Sequence, residues 1–169
     1  MVRRLAPLAL ALLCATGCAS NVVPNRPEAI AMAYAKAGRH PEAAREIELA
    51  VRARPKDAAL RQHAAGIQAG AGNLDKAVEH LEVAIQLAPF DPESWLALGE
   101  LEKRRDSPAD AYVAFRRAAE LAPEDLRAVS SLALAADSLG FDEEADRAYA
   151  RWTELQRWSQ PLAAPPARP

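Results

Sequence analysis

Apolar positions between Asp91 and Pro123 recur at helical spacing and break off once in the middle. Trp95, Leu98 and Leu101 stand three residues apart, so they share one helix face, with Gly99 beside them leaving room for a neighbouring backbone. After a short break, Ala111, Phe115 and Ala118 lay out a second stripe that alternates small and large. Asp91 before Pro92, and Ser107 before Pro108, give each helix a capping side chain followed by a proline at the first helical position. The stretch predicts two amphipathic helices in a hairpin. Such a hairpin cannot bury both apolar faces alone.

The same pattern recurs on both sides. Pro55, Pro89 and Pro123 are 34 residues apart, as are Asp57, Asp91 and Asp125. Ala43, Ala77, Ala111 and Ala145 keep the step, and so do Ala50, Ala84 and Ala118. Gly38, Gly72 and Gly140 mark the turn between helices, with Asp106 at that place in the third unit. Trp, Leu-Gly, Ala, Phe, Ala and Pro in that order at this period resemble the tetratricopeptide repeat. The resemblance implies an all-α solenoid of about four helix hairpins, eight helices in a right-handed superhelix whose concave side is lined by the first helices. The expected repeats are 24–57, 58–91, 92–125 and 126–158, within a solenoid over 27–158.

Unit by unit the expectations differ. The first helix, near Pro27–Lys36, is short, and Pro27 stands where tryptophan is usual, which predicts a frayed start. The second helix is expected over Pro41–Ala53, with Ala43, Ile47 and Ala50 facing the core. Asp57 should cap the next helix and Asn73 the one after it. Gly66, Gly70 and Gly72 make the first helix of unit two the weakest local element, at about 1 kcal/mol for each interior glycine. Trp152 replaces the small alanine of the earlier units and should end the array.

Composition narrows the class. Half of the residues are apolar, mostly alanine and leucine, and only 5% are aromatic, which suits close helix packing. The formal net charge is -2 and no basic stripe is interleaved with aromatics, so nucleic acid is not an expected partner. The run Lys103-Arg104-Arg105 reads as a solvated helix end. Cys14 and Cys18 are the 2 cysteines, both near the N-terminus, which excludes a disulfide-stapled fold.

The N-terminus carries Arg3 and Arg4 and then the apolar run Leu5–Leu13, the architecture of a secretory signal. Ala15-Thr16-Gly17-Cys18 resembles a bacterial lipobox. That resemblance implies a signal peptide over 1–17, acylation (palmitate) at Cys18 and a lipidated tether over 18–26. Ala19 after the cysteine implies delivery to the outer membrane, facing the periplasm. The alternative is ordinary cleavage that leaves a soluble secreted or periplasmic protein. Residues 159–169 are rich in proline and alanine and read as a disordered tail.

By the register of the resemblance, the groove candidates are Glu28, Met32 and Lys36; then Gln62, Gly66 and Ala69; Leu96, Glu100 and Lys103; and Ser130, Leu134 and Asp137. Small residues in the middle would let a peptide or a helix approach the backbone. Chaperone-docking members of the family use lysine and asparagine to grip a terminal carboxylate. Those places here hold Glu28, Met32, His63 and Glu93, so that subclass is disfavoured. His40, His63 and His80 lack metal-ligand spacing, although His63 and His80 lie on different helices of one unit and are able to approach. With no phosphate loop or nucleophile motif, neither an enzyme nor a cofactor or metal is expected. Trp152, Leu155 and Trp158 form a last stripe, with Trp152 read as structural and Trp158 as an exposed terminal contact.

The function expected is a membrane-anchored protein–protein adaptor or assembly factor of the bacterial cell envelope. Its client would be a peptide or helix held in the groove or at the array end. The alternatives are a pilus or secretin assembly lipoprotein and a self-associating structural envelope protein, which makes a homo-oligomer a possible partner state.

Overall fold

A computed structural model describes residues 27–159. The signal peptide, Cys18, the tether and residues 160–169 lie outside the described residues. The helices are α1 (Pro27–Lys36), α2 (His40–Ala53), α3 (Ala58–Gly70), α4 (Leu74–Leu87), α5 (Pro92–Arg104), α6 (Pro108–Leu121), α7 (Leu126–Ser138) and α8 (Asp142–Ser159). No strand occurs among the described residues. Each helix packs chiefly on the next one along the chain, which is the layout of stacked hairpins.

The hairpin turns are built alike. Gly38, Gly72 and Gly140 adopt φ of 72°, 81° and 73°, and Asp106 takes the same left-handed conformation at 60°. The residue after each turns its N–H back five residues: Arg39 to Tyr34 at 2.8 Å, Asn73 to Gln68, Ser107 to Glu102 and Phe141 to Ala136, each at 2.9 Å. These are Schellman closures, which satisfy the last carbonyls of the first helix and start the second in one step.

That closure overturns two capping expectations. Asn73 and Ser107 accept no hydrogen bond from the helix they precede. Their ψ angles of 65° and 73° are set by the turn behind them, and Asn73 instead donates to Gln68 Oε1 at 2.8 Å. The aspartates sit differently. Asp57, Asp91 and Asp125 follow a helix by a longer link and have ψ between 103° and 111°. Their carboxylates accept from Leu60 N and Ser94 N at 3.0 Å and from Arg127 N at 2.8 Å.

The core follows the repeat. Ala43, Ala77, Ala111 and Ala145 are all buried, as are Ala50, Ala84 and Ala118, so the small residues at the 34-residue step are where consecutive helices touch. Ile47 and Leu60 fill the first hairpin contact, Leu81 and Leu101 the middle one, and Phe115 the third. A link between repeats that the sequence reading missed lies at Arg61. Trp95 donates from Nε1 to Pro89 O at 3.1 Å, and one repeat earlier Arg61 makes the same bond to Pro55 O, at 3.3 Å from Nε and 3.2 Å from Nη2. A guanidinium replaces an indole here because each offers an N–H on a planar group of similar reach.

Unit two's first helix is not broken by its glycines: α3 runs its full 13 residues, held by Leu60, Ala64 and Ile67 on the buried side. Tertiary burial overrides the local cost. At the far end α8 runs 18 residues, against 14 for α2, α4 and α6. It reaches Ser159, one residue past the expected boundary. Trp152 on it is half-buried and Trp158 is 80% exposed.

Candidate functional site

The first helices α1, α3, α5 and α7 face one another across a groove, and polar bonds spanning about one repeat tie them together. His63 Nδ1 and Glu28 Oε1 are 3.0 Å apart, joining α1 to α3. Gln62 Nε2 reaches Ser94 Oγ at 2.6 Å and also Asp91, joining α3 to α5. Arg104 Nη2 donates to Ala69 O at 2.9 Å, closing the other end of the same pair. Arg127 pairs with Glu93 and joins α5 to α7.

Between α3 and α5 these ties frame a cavity of about 660 Å³. Its apolar lining is Ala65, Gly66, Ala69, Gly70 and Ala97 together with Leu81 and Leu101, and Gln62, Glu93, Glu100 and Arg104 complete it. The alanines and glycines end at or before Cβ, so the backbones of α3 and α5 come close to the cavity there. Four of the expected groove residues, Gln62, Gly66, Ala69 and Glu100, line this one cavity. Ala65, Ala97 and Arg104 were not expected there, while Glu93 lines the cavity from a place already expected on the inner face. Arg104 in particular belongs to the run expected as a solvated helix end, yet it adds a second donor to Ala69 O, which also accepts from Gly72 N in the turn after α3.

The other candidates divide. Lys103 and Leu134 line a smaller recess of about 220 Å³ where the end of α5 meets α6 and α7, and Leu134 is 60% exposed. Ser130 uses its hydroxyl locally, donating to Arg127 O at 3.1 Å, and Asp137 is exposed. At the first hairpin Met32 and Lys36 are exposed, whereas Glu28 is engaged by Arg54 and His63. Those two hydrogen bonds, His63 first, hold the Glu28 carboxyl below its usual range despite partial burial. Leu96 departs from the expectation. It is 7% exposed and packs with Phe115 and Ala118, because its place on α5 turns toward α6 rather than into the groove.

The histidines also fall elsewhere than expected. His63 goes to Glu28, while His80 is 6% exposed among Arg61, Glu48 and Gln68, so the two do not approach one another. Arg61 Nη1 lies 3.1 Å from His80 Nδ1, and His80 Nε2 lies 3.0 Å from Glu48 Oε1. The Arg61 guanidinium and the Glu48 carboxylate thus hold the two ring nitrogens of His80 from opposite sides of the ring. Gln68, 1% exposed, donates to the same Glu48 oxygen at 2.6 Å. Burial pushes Glu48 up, but the His80 bond and charge and the Gln68 bond outweigh it and hold the carboxyl below its usual range.

No family model matches the chain. A stretch of 75 residues is 32% identical to the peroxisomal targeting signal receptor of Komagataella phaffii, covering 44% of this chain and 13% of that protein. The match therefore spans about an eighth of the receptor's length. Among solved structures, a crystal structure of MamA superposes with a TM-score of 0.72 at 18% identity, over 78% of this chain and 77% of that one. The first tetratricopeptide domain of Spaghetti (RPAP3), bound to the HSP90 peptide SRMEEVD, gives 0.62 at 18% identity, over 68% of this chain and 90% of that one. These likenesses agree with the eight helices, the four Schellman turns and the alanine contacts at the 34-residue step. Over the described residues the chain has the fold of a tetratricopeptide-repeat solenoid, with four helix hairpins.

Proposed function

We propose that the chain is a protein–protein adaptor that holds a peptide or a helix of its client in the groove between α3 and α5. The observation that carries this reading is the run of small residues Ala65, Gly66, Ala69 and Ala97 beside Gln62, Glu93, Glu100 and Arg104. A client backbone gains close approach over the small residues, and Glu93, Glu100 and Arg104 set its direction. The peptide bound to the RPAP3 domain and the receptor named among the relatives support a peptide-binding role for this fold. Glu28, Met32, His63 and Glu93 would not hold a terminal carboxylate, so the client segment is an internal one.

The lipobox resemblance at Cys18 supports anchoring of this adaptor to a bacterial outer membrane, on the periplasmic side. Fixing the module at a surface raises the local concentration of its groove and turns a moderate affinity into stable recruitment. Gly66→Trp tests the groove, since a Cβ at Gly66 meets nothing within 4 Å and the ring projects into the cavity. Proteins captured from native membranes by the wild-type chain should be lost with Gly66→Trp at an unchanged melting midpoint. Capture of the same proteins by both forms would remove the groove from the reading. Cys18→Ala should abolish acyl labelling, and membrane association of a fully processed Cys18→Ala protein would remove the anchor.

A further inference from the structure

On the opposite side from the adaptor groove, α2 and α4 border a second hollow of about 570 Å³. Its apolar lining is Pro41, Ala44, Leu49 and Ala71, and Leu49 is 48% exposed. Three cations stand around it, Arg45 and Arg52 on α2 and Lys76 on α4, all exposed. Among the described residues none of the three is in an ion pair or a hydrogen bond. Arg45 and Lys76 act only at longer range, on Glu42 and Glu48. Glu48 at the floor is already occupied by Gln68 and His80, so it is not available to the three cations.

The charge is specific to this hollow. One repeat later the places of Arg45, Arg52 and Lys76 hold Glu79, Gln86 and Asp110, and two repeats later Val113, Glu120 and Glu144. The repeat scaffold therefore does not require cations at these places. Several other guanidinium groups among the described residues are ion-paired, as in Arg54 with Glu28 and Asp57, and Arg105 with Asp75 and Glu102. Three unpaired cations over an apolar lining match a segment of opposite charge with an apolar side chain in it.

We propose that the hollow between α2 and α4 is a second protein-docking site, and that it takes an acidic segment of a partner with an apolar residue between its carboxylates. The carboxylates pair with Arg45, Arg52 and Lys76, and the apolar side chain covers Leu49 and Ala44. The inference is independent of the adaptor groove, which shares no lining residue with this hollow and presents mixed charge.

The test uses the full chain and a fluorescein-labelled peptide of repeated Glu-Leu-Asp, read by fluorescence anisotropy at low salt. Binding should weaken about tenfold when Arg45→Glu and Arg52→Glu are combined. It should fall with added salt and be unchanged by Lys103→Glu or Gly66→Trp on the other groove. Both charge-reversal sites are exposed, and an unchanged melting curve shows that the fold is retained. Equal binding by the reversed and wild-type chains overturns the proposal. So does equal binding of a peptide with Gln and Asn in place of Glu and Asp. Binding of phosphatidylglycerol vesicles through Arg45 and Arg52 without binding of the peptide also overturns it, in favour of a membrane surface.

Discussion

A Cβ placed on Gly99 would lie 2.5 Å from Cδ1 and Cε1 of Phe115, so the ring occupies the space that any other residue would need. Phe115 is 2% exposed and the largest fully buried side chain, so it has nowhere to go. The glycine of the Leu-Gly pair thus serves a side chain from the second helix rather than the close backbone approach expected from the sequence.

Gly99→Ala should therefore destabilise the domain. Alanine gains about 1 kcal/mol in helix preference, but overpacking typically costs about 1–3 kcal/mol and wins where the neighbour is a rigid ring. A lowered thermal midpoint is the expected result, with partial recovery in Gly99→Ala combined with Phe115→Leu. A single variant as stable as wild type would show that the ring gives way.

Gly66 makes the opposite case. A Cβ there meets nothing within 4 Å, and the position is exposed in the middle of α3. Gly66→Ala should raise stability by about 0.5–1 kcal/mol, because only the helix-entropy term changes. Urea unfolding at matched m-values checks it, and a drop in the midpoint would mean that the groove floor needs glycine for shape.

The contrast between these two glycines shows what the sequence carried. The 34-residue step placed the hairpins, the turn glycines, the aspartate caps and the buried alanines, because each is fixed by local geometry that repeats. Neighbours from different helices were out of reach. Leu96 sat on the groove side by register, but its side chain goes to Phe115. His80 showed only a lack of metal-ligand spacing, whereas Glu48 and Arg61, 32 and 19 residues upstream in the sequence, hold its ring, and Gln68 shares the Glu48 oxygen. Arg104, at the basic end of α5, reaches Ala69 O in the last turn of α3, a bond between helices that the run Lys103-Arg104-Arg105 alone does not signal.

The third turn predicts its own improvement. Asp106 holds φ of 60° where the other three turns have glycine. A left-handed residue with a Cβ costs roughly 1–2 kcal/mol, less for aspartate. Asp106→Gly should therefore stabilise by up to about 1 kcal/mol, and Gly72→Ala should destabilise by about the same or more, since space at Gly72 is open and only the backbone objects. Thermal midpoints of the two variants should move in opposite directions; movement the same way would refute the turn account.

Acid should loosen the first half of the array. Glu28 is held below its ordinary 4.5 by His63 and Arg54, and Glu48 is held low by His80 and Gln68 against the effect of burial. A carboxyl whose folded pKa is depressed contributes stability that is present above its unfolded pKa and is lost as pH falls through the folded value. The melting midpoint should hold near neutrality and drop below the ordinary carboxylate pKa. Glu28→Gln should flatten part of that drop and leave the neutral-pH slope alone. An acid limb as steep in Glu28→Gln as in wild type would take Glu28 out of the linkage.

The last helix separates structure from contact. Trp152 is half-buried where earlier units carry a fully buried alanine, and Leu155 beside it is half-buried too. No further hairpin follows among the described residues, so the indole covers α8's own unit only in part. Trp152→Ala should cost about 1–2 kcal/mol, less than the burial of a whole aromatic side chain. Trp158 has 80% of its surface in water, so Trp158→Ala should leave the melting midpoint in place. If the array end is a contact for a partner or a second copy, the same change should weaken concentration-dependent light scattering or client capture, as loss of an aromatic anchor does. Unfolding by Trp158→Ala with a silent Trp152→Ala would reverse the two roles, and equal scattering from Trp158→Ala and wild type would remove the array end as a contact.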